Sequence, residues 1–131
     1  MADYIDALAA HHGIEGHPAR RNRGVHDLMR AHETALLQPL LDYLKDRNSL
    51  RLIGPAEAAQ RAPTVAVALT RPGAEAAAEL ATRGIMAGGG DFYAVRPLQA
   101  MGVDPARGVL RLSFVHYTSR DEIDREVYNG T

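Results

Sequence analysis

The sequence predicts an α/β two-layer sandwich, in which helices pack largely on one face of a small sheet. Four short apolar segments with strand character alternate along the chain with segments of helical period. At 131 residues the chain fits one domain, and a domain of this size hides roughly two thirds of its unfolded surface. Hydrophobic residues make up 46% and charged residues 24%, which is typical of a folded globular protein.

The first third of the chain predicts two helices. Residues 3–12 predict a short helix that ends at Gly13, and the polar segment 16–24 reads as a turn or linker. A long amphipathic helix is predicted over residues 25–44, because apolar residues recur there every three or four positions. Pro39 lies inside this helix and predicts a kink or the start of a second helix, since proline removes one backbone hydrogen bond.

The middle of the chain predicts two strands, a helix and a loop. Residues 50–53 predict a short strand, and residues 64–70, rich in β-branched side chains, predict a second one. The alanine-rich segment 74–84 predicts a helix that ends at a glycine. Residues 85–94 begin like a third strand and continue as a glycine-rich loop.

The last strand, over residues 109–115, carries an arginine at its centre. Leu110, Leu112 and Phe114 share one apolar face, so Arg111 projects from the opposite face. A guanidinium flanked by apolar residues needs an anion, and its planar fork suits a carboxylate. That anion is either a ligand or an internal Asp or Glu in a structural ion pair.

A final helix is predicted after this strand. Thr118 or Ser119 suits the N-cap, and Asp121 and Glu122 suit the first turn, where negative charge meets the positive end of the helix dipole.

Composition excludes several classes of protein. The net charge of −1 gives no broad electrostatic reason to bind nucleic acid or an anionic membrane. The acidic start MADYIDALAA lacks the features of a secretory signal, and we therefore expect a cytoplasmic protein. The sequence contains no cysteine, which excludes disulfides, thiolate metal sites and thiol nucleophiles.

The glycines at 88–90 resemble part of a phosphate-binding loop, because consecutive glycines let backbone N–H groups approach an anion. No GxxxxGK[ST] motif follows, and the only lysine, Lys45, belongs to the long helix. The glycines therefore indicate a strained turn beside a ligand, or a plain surface loop.

Two other clusters favour simpler interpretations. His11, His12 and His17 do not have the spacing of a helical ligand pair, so we expect a solvated loop and no metal site. The basic segment ARRNR, at residues 19–23, is typical of an exposed turn in a chain of nearly zero net charge.

The segment GGGDFYAVRPLQAMGVDPARGVLRLSFVHYTSRDEIDR resembles the end of the class V aminotransferase family, pyridoxal-phosphate enzymes that include cysteine desulfurases and selenocysteine lyases. In that family a glycine-containing loop precedes a short helix, an arginine-bearing strand, a turn and an acidic start of the last helix. The turn here is HYTS, at residues 116–119. The similarity extends over residues 24–127, and DYIDAL resembles the end of the family's large domain.

The resemblance implies a mixed, mainly antiparallel sheet with helices on one face, like the small domain of fold-type I pyridoxal-phosphate enzymes. Residues 1–23 would be a remnant of the large domain and linker, and residues 24–131 the C-terminal small domain. Arg111 would hold the α-carboxylate of a small amino-acid substrate. The other substrate-binding candidates are Asp91, Phe92, Tyr93 and His116, with Gly88, Gly89 and Gly90 in the mobile loop that covers the site.

Two departures limit what the resemblance implies. Tyr93 stands where desulfurases carry their nucleophilic cysteine, so persulfide transfer is not expected; the ring would offer a hydroxyl to substrate or cofactor, or pack on the loop. Lys45 lacks the surroundings of the family's Schiff-base lysine.

We therefore expect pyridoxal phosphate in a parent transferase or lyase, and no catalysis by this chain alone. The expected partners are the missing large domain, a small amino acid and a second copy of the chain. The alternative is a stand-alone module that binds an amino acid or another protein. Transamination, β-elimination and epimerisation remain open as the parent's reaction.

Overall fold

A computed structural model describes the backbone of residues 1–129 and the side chains of residues 1–125. Within that range the helices are α1 (Ala2–His11), α2 (Pro18–Lys45), α3 (Gly73–Thr82), α4 (Val95–Ala100) and α5 (Arg120–Asn129). The strands are β1 (Leu50–Ile53), β2 (Thr64–Leu69), β3 (Gly88–Gly90) and β4 (Val109–Ser113), and a 3₁₀ turn spans Ala58–Gln60. None of these described helices is long and apolar enough to cross a bilayer.

The strands form one sheet in the order β1-β2-β4-β3, which confirms the predicted α/β fold class. All three strand pairs are antiparallel, so the expected mixed sheet is antiparallel throughout the described strands. Strand β4 lies between β2 and β3, and Arg111 is directly opposite Ala66 on one side and Gly88 on the other. Both cross-strand neighbours are small, so they leave room beside the Arg111 side chain for a residue from another segment.

The main core lies between one face of the sheet and helices α2, α3 and α5. Leu110, Leu112 and Phe114 alternate toward this face and are buried, as predicted. Leu41 of α2 and Ile123 of α5 are almost completely buried against the same cluster. Burying such side chains is worth roughly 1.5–3 kcal/mol each, so this face fixes which way β4 turns its remaining side chains.

The opposite face carries a smaller apolar cluster. Leu98 of α4 packs with Val103 and Val109, and Phe92 and Met101 contact them from the edge. Helices are therefore not confined to one face, because the apolar side of α4 folds back over the end of β4. Arg111 belongs to this second face.

Helix α2 starts earlier than the sequence predicts. It begins at Pro18 and includes most of the expected turn at 16–24. Proline suits a first helical position, and α1 packs against α2, in which Val25, directly after the added residues 18–24, is fully buried. The helix also continues through Pro39 without interruption, so that proline does not start a second helix.

The glycines at 88–90 form an edge strand, β3, where the sequence predicts a loop. Helix α3 approaches this strand so closely that a Cβ atom on Gly89 would lie 2.2 Å from the carbonyl oxygen of Gly73. On Gly73 it would lie 2.3 Å from the carbonyl oxygen of Val109. The glycines are therefore needed for close packing of helix against strand.

Candidate functional site

Arg111 lies on the smaller-cluster face of the sheet, beside β3, with its side chain exposed. Its Cζ atom is 3.9 Å from the centroid of the Phe92 ring, a cation–π contact. None of the ion pairs formed by the described side chains of residues 1–125 involves Arg111. The structural ion pair considered as an alternative is thus not found within that range, and the guanidinium keeps its N–H donors available.

Phe92 reaches this position through a tight turn after β3. The φ angles of Phe92 and Tyr93 are 51° and 60°, in the left-handed region that non-glycine residues rarely adopt. The Ala94 N–H donates to the carbonyl oxygen of Asp91 at 2.8 Å, and the Tyr93 N–H donates to the Asp91 carboxylate at 3.1 Å. Such residues cost on the order of 1–3 kcal/mol each, so the surrounding bonds must hold the turn in place.

Gly88 provides the space that the Phe92 ring occupies. A Cβ atom at position 88 would lie 3.0 Å from Cζ and 3.1 Å from Cε1 of that ring. Gly88 is also the cross-strand neighbour of Arg111. The structure therefore brings three of the predicted site residues into one stack: Gly88, Phe92 and Arg111.

Asp91 and Tyr93 lie next to this stack but do different things. The Asp91 carboxylate is used as an acceptor inside the turn. The Tyr93 ring is fully exposed at the turn's tip, so it does not pack on the loop. The ring is free to contact a molecule outside the described chain.

His116 lies elsewhere, beyond the end of β4. Its Nε2 atom is 2.7 Å from the hydroxyl of Tyr4 in α1, and its ring packs edge-on against Tyr117 with centroids 5.2 Å apart. Its described contacts therefore join the C-terminal segment to α1, and none of them reaches Arg111. The sequence gives no local signal for the bond between Tyr4 and His116, because the two residues are 112 positions apart.

The basic segment at residues 19–23 and the histidines near the N-terminus were the other polar clusters considered. Arg21 of the basic segment donates to Asp6 at 3.0 Å and links α2 to α1. The side chains of residues 1–125 contain no group of three or more His, Asp or Glu residues placed to hold a metal ion.

The fold resembles those of several solved structures. A NifS-like protein shares 24% identity with a TM-score of 0.64, over 86% of this chain and 30% of its own. The apo cysteine desulfurase of Thermococcus onnurineus NA1 shares 21% identity with a TM-score of 0.69, over 86% of this chain and 28% of its own. The cysteine desulfurase CsdA of Escherichia coli shares 20% identity with a TM-score of 0.63, over 86% of this chain and 28% of its own.

A sequence model of the aminotransferase class-V family matches residues 22–125, and the chain therefore belongs to that family. It spans less than a third of the length of these solved structures, all of which are much longer chains. No curated protein sequence matches the chain significantly.

Pyridoxal phosphate, the usual cofactor of the family, forms a Schiff base with a lysine amine. Lys45 is the only lysine in the sequence. Its Nζ atom lies 2.7 Å from the Asp42 carboxylate, and this hydrogen bond raises the pKa of Lys45 above its ordinary value. Lys45 belongs to α2, which covers the main core, so the sheet separates it from Arg111. A charged amine on the wrong face does not fit a Schiff base at the Arg111 site, and we assign this chain no step through the cofactor.

Proposed function

We propose that this chain acts as the C-terminal small domain of a class V aminotransferase or cysteine desulfurase-like enzyme, where Arg111 orients the carboxylate of a small amino-acid substrate. The observation that supports the proposal is the environment of Arg111. Its guanidinium is held on an aromatic ring and, within residues 1–125, has no internal carboxylate partner. A carboxylate of a ligand can bind it through two parallel hydrogen bonds.

The cofactor lysine belongs, in this proposal, to a large domain outside these 131 residues. The position of Lys45 and the small share of the solved relatives that the chain covers both support a separate source. Tyr93 faces the large domain or the substrate from the tip of its turn, which is consistent with its complete exposure. Closure of a large domain over Arg111 would exclude water and strengthen its attraction for a carboxylate.

Calorimetric titration tests the role of Arg111. The chain should bind L-alanine weakly, with a Kd on the order of 1 mM, and bind L-alaninamide less well because it lacks the carboxylate. The Arg111→Ala variant should lose about tenfold or more of the affinity for L-alanine. Arg96→Ala, which removes an exposed arginine of α4, is the matched control and should bind as the unsubstituted chain does. Equal affinity of Arg111→Ala and the unsubstituted chain would refute the proposal.

Absorbance spectroscopy tests the source of the lysine. Mixing the chain with pyridoxal phosphate should give no stable Schiff-base band that depends on Lys45. A stable band that disappears in Lys45→Met would show that the chain carries its own cofactor amine, contrary to the proposal.

A further inference from the structure

The Phe92 ring lies against the guanidinium group of Arg111. We propose that Phe92 is a positioning residue, which holds the Arg111 guanidinium with its N–H edges presented to the substrate carboxylate. This inference rests on the proposed role of Arg111 and adds the group that determines how that arginine is oriented.

The first step concerns which part of the guanidinium stays available. The five N–H donors of arginine lie in the plane of the group, along its edges. With Cζ only 3.9 Å from the ring centroid, Phe92 covers a face and leaves those edges uncovered. An exposed arginine otherwise moves among many rotamers, so the ring selects orientations that suit two parallel hydrogen bonds to a carboxylate.

The second step concerns the backbone that carries the ring. Phe92 has a φ of 51°, a conformation that glycine adopts freely and phenylalanine adopts only at a cost. Two hydrogen bonds to Asp91 hold the turn in this shape. A strained residue kept at this position is a reason to look for a function, and the function available here is contact with Arg111.

The third step concerns the strand beneath the ring. Any side chain at position 88 would place its Cβ atom 3.0 Å from Cζ of the Phe92 ring, so the ring would have to shift by a few tenths of an ångström. Gly88 lies opposite Arg111 in the sheet, so the ring and the guanidinium depend on the same small residue. Gly88, Phe92 and Arg111 therefore act as one unit.

Two measurements on Phe92 variants test the inference. In NMR spectra the Arg111 Nε–H signal should be shifted by the ring current in the unsubstituted chain and in Phe92→Tyr, and should lose that shift in Phe92→Leu. In calorimetry, Phe92→Leu should bind L-alanine about two- to fivefold more weakly and should discriminate less against L-alaninamide. Phe92→Tyr should restore both properties, and Met86→Leu, at an exposed position before β3, is the control.

The outcomes separate the two proposals. If Arg111→Ala abolishes binding while Phe92→Leu binds and discriminates as the unsubstituted chain does, the positioning role is wrong and the role of Arg111 stands. If binding persists in Arg111→Ala, the proposed function itself fails. An Arg111 signal that does not change in Phe92→Leu would mean that the stack is absent in solution and would also overturn the inference.

Discussion

Arg61 precedes strand β2 and Arg111 lies in strand β4 of the same sheet, but their guanidinium groups have different surroundings. Arg61 donates to three backbone carbonyl oxygens, those of Ile53, Pro55 and Thr64, at 3.2, 2.7 and 3.1 Å. Arg111 contacts the Phe92 ring, and its guanidinium donates no hydrogen bond within the part of the chain whose side chains the structure describes. Burial lowers the pKa of Arg61 below its ordinary value, although arginine stays charged at neutral pH.

The difference separates an arginine that stabilises the fold from one that is available to a ligand. The three carbonyls around Arg61 lie at the end of β1, in the connection after it and at the start of β2, so this one side chain ties both strands to their connection. Arg111 lies in a regular strand whose backbone groups are already paired with β2 and β3. Its side chain is therefore not required to complete the backbone hydrogen bonding of the fold.

The largest expected effect is on stability at position 61. Arg61→Met should lower the free energy of unfolding by roughly 2–4 kcal/mol, because three backbone carbonyls lose a charged donor. Arg111→Met should change it by about 0.5 kcal/mol or less, since only an exposed ring contact is lost. Urea denaturation of both variants provides the measurement, and equal losses would remove the distinction between the two arginines.

A smaller difference is expected between two neighbouring glycines. Gly89→Ala should cost roughly 2–3 kcal/mol, because its methyl group would meet the backbone of α3 at 2.2 Å. Gly88→Ala should cost about 1 kcal/mol, since the obstacle there is a side chain that can turn away. Gly88→Ala should nevertheless weaken binding of L-alanine, because position 88 lies beside Phe92 and Arg111. Gly89→Ala is a less direct test of binding, because it disturbs the packing of α3 against the whole of β3. Thermal unfolding compares the two costs, and a larger loss at position 88 would contradict this assignment of rigid and movable neighbours.

The smallest expected effect concerns an anion that the chain satisfies by itself. The Glu122 carboxylate accepts from the backbone N–H and the hydroxyl of Ser119, at 2.7 and 2.9 Å, and these bonds hold the pKa of Glu122 below its ordinary value of 4.5. Because the folded-state pKa is the lower one, the stabilisation is present above pH 4.5 and is lost as the pH falls through the folded value.

Ser119→Ala should lower stability by about 1 kcal/mol at neutral pH, through loss of the N-cap hydroxyl. The gap between this variant and the unsubstituted chain should narrow at acid pH, because protonated Glu122 no longer accepts the same bonds. Urea denaturation of both proteins at neutral pH and at acid pH measures this difference in stability. A gap that does not depend on pH would mean that Glu122 gains nothing from the Ser119 hydroxyl.

Much of the fold follows from local patterns in the sequence. The alternation of Leu110, Leu112 and Phe114 predicts which face of β4 is buried, and the structure confirms it. Of the two predicted N-cap residues, Thr118 and Ser119, it is Ser119 whose hydroxyl accepts from the Glu122 N–H, at 3.3 Å, while the Glu122 carboxylate accepts from Ser119 in return. Both signals are local, since each depends on side chains a few positions apart.

The differences arise where distant contacts decide the structure. Three glycines have low strand propensity, yet β3 forms because Gly89 lets α3 come close, and no local pattern contains that contact. The start of α2 depends on α1, which packs against it from the preceding segment. The local sequence therefore predicts neither β3 nor the start of α2, because contacts with residues elsewhere in the fold determine both.

The site was predictable only in part for the same reason. The strand pattern predicts that Arg111 leaves the core, but the sequence DFY contains no glycine or asparagine to predict two left-handed residues. The stack of Phe92 on Arg111 joins residues from different elements, and therefore required the structure. The contacts of His116 with Tyr4 also could not be predicted, since they connect the two ends of the chain.

The exposed tip at Tyr93 has a consequence for how such a domain can diversify. Its ring touches nothing in the described chain, so exchanging it for another side chain leaves the packing of the scaffold unchanged. The backbone there demands a costly conformation, but that demand is met by Asp91 and not by the tyrosine ring. New chemical groups can therefore be introduced at this one position, including a thiol, while the architecture that presents them is inherited intact.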